Sequence, residues 1–359
     1  MRKLRRILRR VPDPRAGNAR HDLLELLIIA LAATLAGAKT CTDFEQFGLG
    51  REGLLRQFLE LEHGIPSHDT FSNVFRALDP HALEAVLRKF GKGFGSKGVV
   101  NLDGKALRGA FARGRRAVPL QMVNVWAAGT RLALAQRKAP NRNEVAGALE
   151  LLALLDLKGT IVTADALHCR PDIAQAIRNR KAHYVLALKS NRGKLFTAAK
   201  ALVGAARDAP PATQRSTRAH GRVERRRAVI VPAPRLARQY GFPDIAAVGC
   251  VESWRATTSS KPTKVRFFLV SRMLSARELL DVVRAHWSIE NNLHWVLDVL
   301  FAEDACRSRK DHAPENLAVI RKLAINILQA IPQPLRMRHK MLRARWNDAF
   351  LLNALAHMR

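Results

Sequence analysis

Two aspartates close short runs of β-forming residues. Asp103 ends VVNLD just ahead of Gly104, and Asp165 ends IVTAD just ahead of a helical segment. A glutamate, Glu290, lies in the run RAHWSIENNLHW from Arg284 to Trp295, with His286 four residues before it and His294 four after. That spacing puts the three side chains on roughly one face of a helix. Acids drawn from two strand ends and a helix suit two-metal phosphodiester chemistry, which holds ions about 3.5–4 Å apart beside the nucleophile and the leaving oxygen. Mg2+ is a hard cation that takes oxygen ligands and keeps positions open for phosphate and water. Each acid alone also has an ordinary explanation. Asp-Gly is common turn chemistry, Asp often opens a helix, and Glu290 among Trp287, Ile289 and Leu293 would serve as half of an ion pair. A His-Glu-His zinc site is a further option, but neither an HExxH pattern nor a thiolate ligand accompanies it.

The elements around these residues favour the joint reading. From His21 to about Gly93 the pattern is helical, with Leu23, Leu26, Leu27, Ala30 and Leu31 at helical spacing and Asp43 and Ser67 as candidate N-caps. Leu54 to Leu61 and His81 to Phe90 read as amphipathic helices. From Gly98 the texture becomes β-rich: 99–103, 120–127 and 132–138 are strands, the last two forming a hairpin. A helix over 143–155, a strand over 160–164, a helix over 171–182 and a strand over 184–188 follow. Three strands and then alternating helix and strand predict a mixed sheet, antiparallel at first and parallel afterwards, covered by helices. Neighbouring parallel strands would present Asp103 and Asp165 at one edge. Residues 205–234 are irregular and rich in Arg, Ala and Pro; 241–255 and 264–271 read as further strands. A long helix runs from Ser275 to about Leu300, opened by the capping-box pair Ser275 and Glu278.

Charge narrows the partner. Sixty-one Lys plus Arg against thirty Asp plus Glu leave +31. Such a field favours polyanions, because neutralising phosphates releases condensed counterions. The first twenty residues are basic and broken by Pro12 and Pro14, as an arm that lies on phosphates or a solvated tail would be. Cys41, Cys169, Cys250 and Cys306 are scattered, as free thiols in a reducing compartment would be. Leu23 to Ala38 is strongly apolar but short for a bilayer and carries Glu25, so a buried helix and a soluble, cytoplasmic protein are expected.

Three runs carry a family resemblance: NLDGKALR (Asn101 to Arg108), TADA (Thr163 to Ala166) and HWSIENNLHWVLD (His286 to Asp298). Together they resemble the DDE transposases of bacterial insertion sequences, within the branch of H-repeat-associated proteins. GIPSHDT (Gly64 to Thr70), Asn143 with Glu144, LKSN (Leu188 to Asn191) and HGRVER (His220 to Arg225) extend the likeness over almost the whole chain. The resemblance implies an α/β fold with a ribonuclease-H-like mixed sheet flanked by helices. It places a basic arm and a transposase-associated helical domain at 1–93. The catalytic domain would occupy 94–359, with a β-rich insertion at about 200–262 and a basic helical end. It further implies that Asp103, Asp165 and Glu290 are catalytic and hold two Mg2+ ions, with Mn2+ as a substitute. The substrate would be double-stranded DNA, at the element's terminal repeats and at the target, bound by a homodimer.

One departure stands out. Related transposases with a Tyr-Arg-Glu-Lys signature carry Tyr and Arg seven and four residues before the Glu and Lys seven after, where this chain has Val283, His286 and Leu297. Phosphate-contacting roles therefore fall to other candidates: Lys105, Arg108, Lys189, Arg222, Arg225, Arg226, Arg227, Arg284, His286 and His294. Trp287 and Trp295 would stack on bases or, more in keeping with their apolar neighbours, pack the helix onto the sheet. A metal-dependent nuclease without strand transfer would use the same acids. A transposase-derived DNA-binding regulator would have no chemical need for all three, and an RNA-binding protein explained by charge would need none.

Overall fold

Alternating apolar side chains drive the β-forming runs into a single sheet. The structure, a computed structural model, describes residues 2–15, 17, 19–92, 98–110, 118–206, 213–219, 222–254 and 264–356, with backbone alone for 213–219 and 222–224. The strands are β1 (Val99–Leu107), β2 (Leu120–Ala127), β3 (Leu132–Lys138), β4 (Ile161–Ala164), β5 (His183–Leu188), β6 (Thr213–Ala219), β7 (Arg222–Pro232), β8 (Ala247–Trp254) and β9 (Lys264–Val270). Their order is β3-β2-β1-β4-β5-β9-β8-β7-β6. β1, β4 and β5 run parallel at the centre, and every other pairing is antiparallel. The fold is thus mixed α/β, antiparallel first and parallel next, as the element order predicts.

The helices before the sheet are α1 (Arg2–Leu8), α2 (Leu23–Leu35), α3 (Cys41–Gly50), α4 (Glu52–Leu55), α5 (His68–Ala77) and α6 (Pro80–Lys92). One face of the sheet is covered by α7 (Glu144–Leu154), α8 (Pro171–Asn179), α9 (Gly193–Ala205) and α10 (Pro234–Tyr240), which bury Val100, Leu102, Val162, Ala164 and Leu186. The other face takes α11 (Ala276–His286), whose Leu279 and Val283 pack on Ile161 and Val185. The chain ends in α12 (Trp295–Val299), α13 (Ala313–Ala330), α14 (Met337–Trp346) and α15 (Asp348–Ala356). α13 is buried along nearly its whole length and shares one core with α1, α2, α5, α6 and α15.

Several local expectations change. The basic N-terminal stretch is a docked amphipathic helix, not a free arm: Leu4, Ile7, Leu8 and Val11 are buried in the helical core while Arg2, Arg6, Arg9 and Arg10 face outward. Thr40 caps α3, and Asp43 sits three residues in, closing a capping box. Of the amphipathic stretch 54–61 only Leu54 and Leu55 are helical, at the end of α4. Residues 213–219 and 222–232, without a clear period in sequence, extend the sheet as the antiparallel strands β6 and β7. α2 is apolar all round because it is enclosed all round, and no described helix is long and apolar enough to cross a membrane. The expected domain division at 93/94 and the end of the expected insertion at 262 both fall outside the described residues.

The sheet edge at β3 is joined to α13 by a side chain that imitates a strand. Asn326, fully buried, accepts from the Ala133 N–H through Oδ1 and donates to the Ala133 C=O through Nδ2, each at 2.8 Å. An edge strand's unpaired backbone groups are thereby closed off. Replacing Asn326 by Leu keeps the volume and orphans both groups. The substitution is expected to lower stability by roughly 2–4 kcal/mol, measured by urea unfolding, since each buried unpaired group costs about 1–3 kcal/mol.

Candidate active site

Strand alternation sorts the functional side chains by face. Leu102 and Ala164 pair across the parallel β1–β4 ladder and point into the α7 side of the core. The residues that follow, Asp103 and Asp165, therefore project on the α11 side, in line with Asn101 and Thr163 below them. Asp165 follows the carboxyl end of β4. Asp103 does not end its strand as expected: β1 runs on to Leu107 against β2, and Asp103 stands where the parallel pairing with β4 stops, roughly 5 Å from Asp165 in the pairing direction.

Glu290 reaches them from the helix that crosses this face. A polar seam docks that helix. Asn101 Nδ2 donates to the carbonyls of Ala285 (2.7 Å) and His286 (3.1 Å) and lies 3.2 Å from Ser288 Oγ, which also accepts from Trp126 Nε1 at 3.2 Å. Thr163 Oγ1 donates to Asn101 Oδ1 at 3.0 Å and lies 2.9 Å from His286 Nδ1. With its proton given to Asn101, Thr163 accepts from the imidazole, so Nδ1 of His286 carries the hydrogen. Burial pushes His286 down to about 4, with the Asp165 charge opposing and Arg266 assisting, so the ring is neutral. One turn later the helix widens into a π segment over Glu290–His294 before α12 resumes. Such one-turn widenings often occur at functional sites.

Asp103, Glu290 and His294 offer ligand atoms that all lie within 4.8 Å of one another. Nδ1 of His294 is 3.2 Å from Glu290 Oε2 and 3.7 Å from Asp103 Oδ2. Asp103 Oδ1 accepts from the Gly104 N–H at 3.0 Å. Burial pushes the Asp103 carboxyl up to about 6; His294 opposes this, and the charges of Asp165 and Glu290 add to it. For Asp165 burial also raises the value, but hydrogen bonds from His168 and Leu167 outweigh it and hold the carboxyl below its usual range. The hydrogen bond from His294 does the same for Glu290. Hard oxygen donors on three separate elements, with one carboxyl pushed up by burial and, to a lesser degree, by its like-charged neighbours, fit a divalent cation of the Mg2+ or Mn2+ kind.

The basic candidates divide. Lys189 is exposed just beyond β5, in a loop tied beside Asp165 by the Asn191 Nδ2 bond to the Ala166 carbonyl (2.8 Å). Arg284 is exposed on α11, and Arg108 is exposed 3.5 Å from Asp304. Lys105 is not available to a phosphate: it is buried and bonded to Asp298 at 2.6 Å, with Asp304 at 3.6 Å. His286 is spent on the docking seam, and His294 belongs with the acids. Arg225, Arg226 and Arg227 lie on β7, four strands from β4 and so about 19 Å away along the sheet. Arg227 is 3.8 Å from Glu252, and the Arg225 guanidinium lies over Trp254 at 5.5 Å. The side chain of Arg222 lies outside the described residues. Trp287 and Trp295, at 45% and 55% exposure, are not buried between helix and sheet; Trp287 meets the sheet through Arg266 of β9, whose guanidinium lies 4.9 Å over its ring. Sequence reading missed His168, which bonds Asp165, and the partners of Lys105. The signal for His168 was its place three residues after a strand-end aspartate.

Comparison with known proteins finds similar sequences along nearly the whole chain. A family model described as "Transposase DDE domain" matches residues 95–327, and one described as "DDE_Tnp_1-associated" matches residues 5–91. Among similar proteins, "Putative transposase YncI" of Escherichia coli O157:H7 is 32% identical over 89% of this chain and 85% of its own length. "H repeat-associated putative transposase YhhI" of Escherichia coli K12 is 30% identical over 99% of this chain and 98% of its own. The solved piggyBac transposase synaptic complex with hairpin DNA aligns over 97% of this chain and 76% of that one, at 12% identity and a TM-score of 0.46, a likeness too loose to argue from.

The raised Asp103 carboxyl sets the pH dependence of cation binding. A proton and a divalent ion compete for the same group, so affinity increases as pH climbs through about 6 and levels off above it. Between about pH 5 and about pH 7 the Mn2+ affinity of the whole chain, followed by titration calorimetry, is expected to increase roughly tenfold. Asp103→Asn should weaken binding and flatten that slope.

Proposed function

This chain belongs to the transposases with a DDE domain, in the H-repeat-associated branch, and from that premise we propose that it cuts and joins DNA at the ends of an insertion sequence. The observation that carries the proposal is the convergence of Asp103 and Asp165, from adjacent parallel strands, with Glu290, whose ligand atom lies within 4.8 Å of that of Asp103. We assign these three acids to two divalent ions, Mg2+ with Mn2+ as a substitute. Bound there, the ions would supply Lewis-acid activation of water or a 3′-hydroxyl and neutralise charge at the leaving oxygen. Everything else falls to the protein. Asp103 and Asp165 fix ligand positions from the rigid sheet, and Glu290 closes the set from the helix. The exposed Lys189, in the loop tied beside Asp165, and the exposed Arg284 of α11 are our candidates for holding phosphates of the bound duplex. Exposed Trp287 and Trp295 offer faces for bases unstacked near the cut. No protein nucleophile is needed, since water and then a DNA hydroxyl attack in line.

The sheet order β3-β2-β1-β4-β5, with its parallel centre, supports a ribonuclease-H-like reading of the catalytic part, from about residue 94 onward, with β6–β8 as the inserted portion. Residues 1–93 form the associated helical part in this reading. Synapsis of two element ends calls for a homodimer on double-stranded DNA, working in the cytoplasm. Arg225, Arg226 and Arg227, distant from the acids, would then contact DNA away from the cut.

Cleavage and joining of a labelled element-end duplex in Mg2+ tests the proposal. Wild type should give nicked and joined products. Glu290→Ala and Asp165→Ala should each lose both by about a thousandfold or more while still binding the duplex, as expected when several kcal/mol of charge stabilisation is removed. Nicking without joining would favour a nuclease, and binding without chemistry in the wild type a regulator. Activity surviving both substitutions would sink the site.

A further inference from the structure

Asp165 is held on one side only. Its Oδ1 accepts from the backbone N–H of Leu167 at 3.1 Å, from the backbone N–H of His168 at 3.3 Å and from the His168 ring at Nδ1, 2.8 Å away. Among the described residues nothing donates to Oδ2. Since an ionised carboxylate only accepts, Nδ1 of His168 carries the hydrogen.

The ring itself is fully buried, and its Nε2 has no partner among the described residues. Packing alone gives no reason for a histidine here, because an apolar side chain of similar volume would avoid burying that unpaired nitrogen. The turn that carries it is also fastened from outside. Asn191 Nδ2 donates to the Ala166 carbonyl at 2.8 Å, and Arg192 Nε donates to the Cys169 carbonyl at 2.9 Å. The contrast with His294 is informative. That ring faces both Glu290 and Asp103, on the side where a cation would sit, whereas His168 approaches Asp165 in concert with two backbone donors on a single oxygen.

We infer that His168 is a positioning residue: its Nδ1–H clamps Oδ1 of Asp165 and reserves Oδ2 for a divalent cation. The inference rests on the reading of Asp165 as a metal ligand. Donors behind a ligand of this kind fix its orientation, and their loss typically costs about 10–100-fold in metal affinity. The clamp also makes Asp165 the pre-set member of the acid group. Asp103 and Glu290 both lie against His294, whose contact must rearrange or take part when a cation enters.

Mn2+ binding to the whole chain, followed by electron paramagnetic resonance and paired with thermal unfolding, tests this. His168→Asn carries an amide N–H near the position of Nδ1, His168→Gln carries one near Nε2, and His168→Leu carries none. The Leu and Gln variants should bind Mn2+ about 10–100-fold more weakly, while the Asn variant stays within about threefold of wild type. A folded Leu variant with wild-type affinity overturns the inference, as does an Asn variant no better than Gln. If the Leu variant does not fold, the Asn and Gln pair still decides. Asp165→Ala separates the two levels of reading. If it leaves Mn2+ affinity unchanged, Asp165 is no ligand and both readings fall; if it weakens binding while His168→Leu does not, only the clamp is wrong.

Discussion

Three carboxylates can be gathered in one place only if something other than their own interactions brings them there. Each loses water on burial and each repels the others, and the upward push on Asp103 records both costs. The docking seam of Asn101, Thr163, His286 and Ser288 is the contact that meets this constraint. Its bonds join β1 and β4 to the end of α11, immediately before Glu290. The carbonyls of Ala285 and His286 lie where the helical pattern is about to widen, and the Asn101 amide gives them a donor. Thr163 and His286 can take part because the imidazole is neutral at ordinary pH. An imidazolium would add a second hydrogen and a buried charge to a seam that has room for neither.

The other side of the same helix is held by apolar packing. Ile289, Leu293, Leu297 and Phe301 are buried in the core that also contains α2, α5, α6 and α13. Glu290 thus sits on a helix clasped between the sheet and the helical layer, and its position answers to both. The π segment reconciles the two attachments. One extra residue in the turn lets Leu293 stay in the helical core while Glu290 and His294 keep their contact. Lys105 adds a third tie. Two residues beyond Asp103, it is buried against Asp298 of α12, so strand and helix are linked by charge as well as by the seam. Removing Asp298 would leave the buried Lys105 charge with only the more distant Asp304, which costs more than an exposed pair contributes.

The sequence made the fold and the acids legible for different reasons. The hairpin 120–127 and 132–138 and the strand-helix alternation after it followed from local periodicity, which the packing respects. β6 and the first half of β7 were obscure because a polar edge strand and its arginine-rich neighbour have no apolar period to detect. α1 was obscure because its three buried side chains are interleaved with four basic residues, only some of which face water. Asp103 and Asp165 could be paired from strand order alone. The roles of the cations could not. Lys105, His286 and His294 lie near the acids in the chain motifs, but whether a basic side chain meets phosphate or an internal acid depends on which elements pack over it. For Lys105 that element is α12, almost two hundred positions away. His168 was hidden by the opposite effect: it acts locally, but only a closed turn brings its Nδ1 to the oxygen that the backbone donors also use.

The distribution of charge gives the site its chemical sense. The chain carries a net +31, enough to favour a polyanion, yet the group at the end of the β1–β4 parallel pairing is built from acids. A phosphate approaching Asp103, Asp165 and Glu290 would meet like charge at short range. Lys105, which touches this group electrostatically, is already committed to Asp298 and Asp304, and the arginines of β7 lie several strands away. On the proposed function, the protein's own cations would hold the duplex around this group and not neutralise its centre. A small divalent ion does what no lysine or arginine in that position could, since it binds several carboxylate oxygens at once and still has positions left for phosphate and water. On that reading, an arrangement that is basic outside and acidic within would attract DNA over a distance and reserve the reacting phosphate for a site completed by metal.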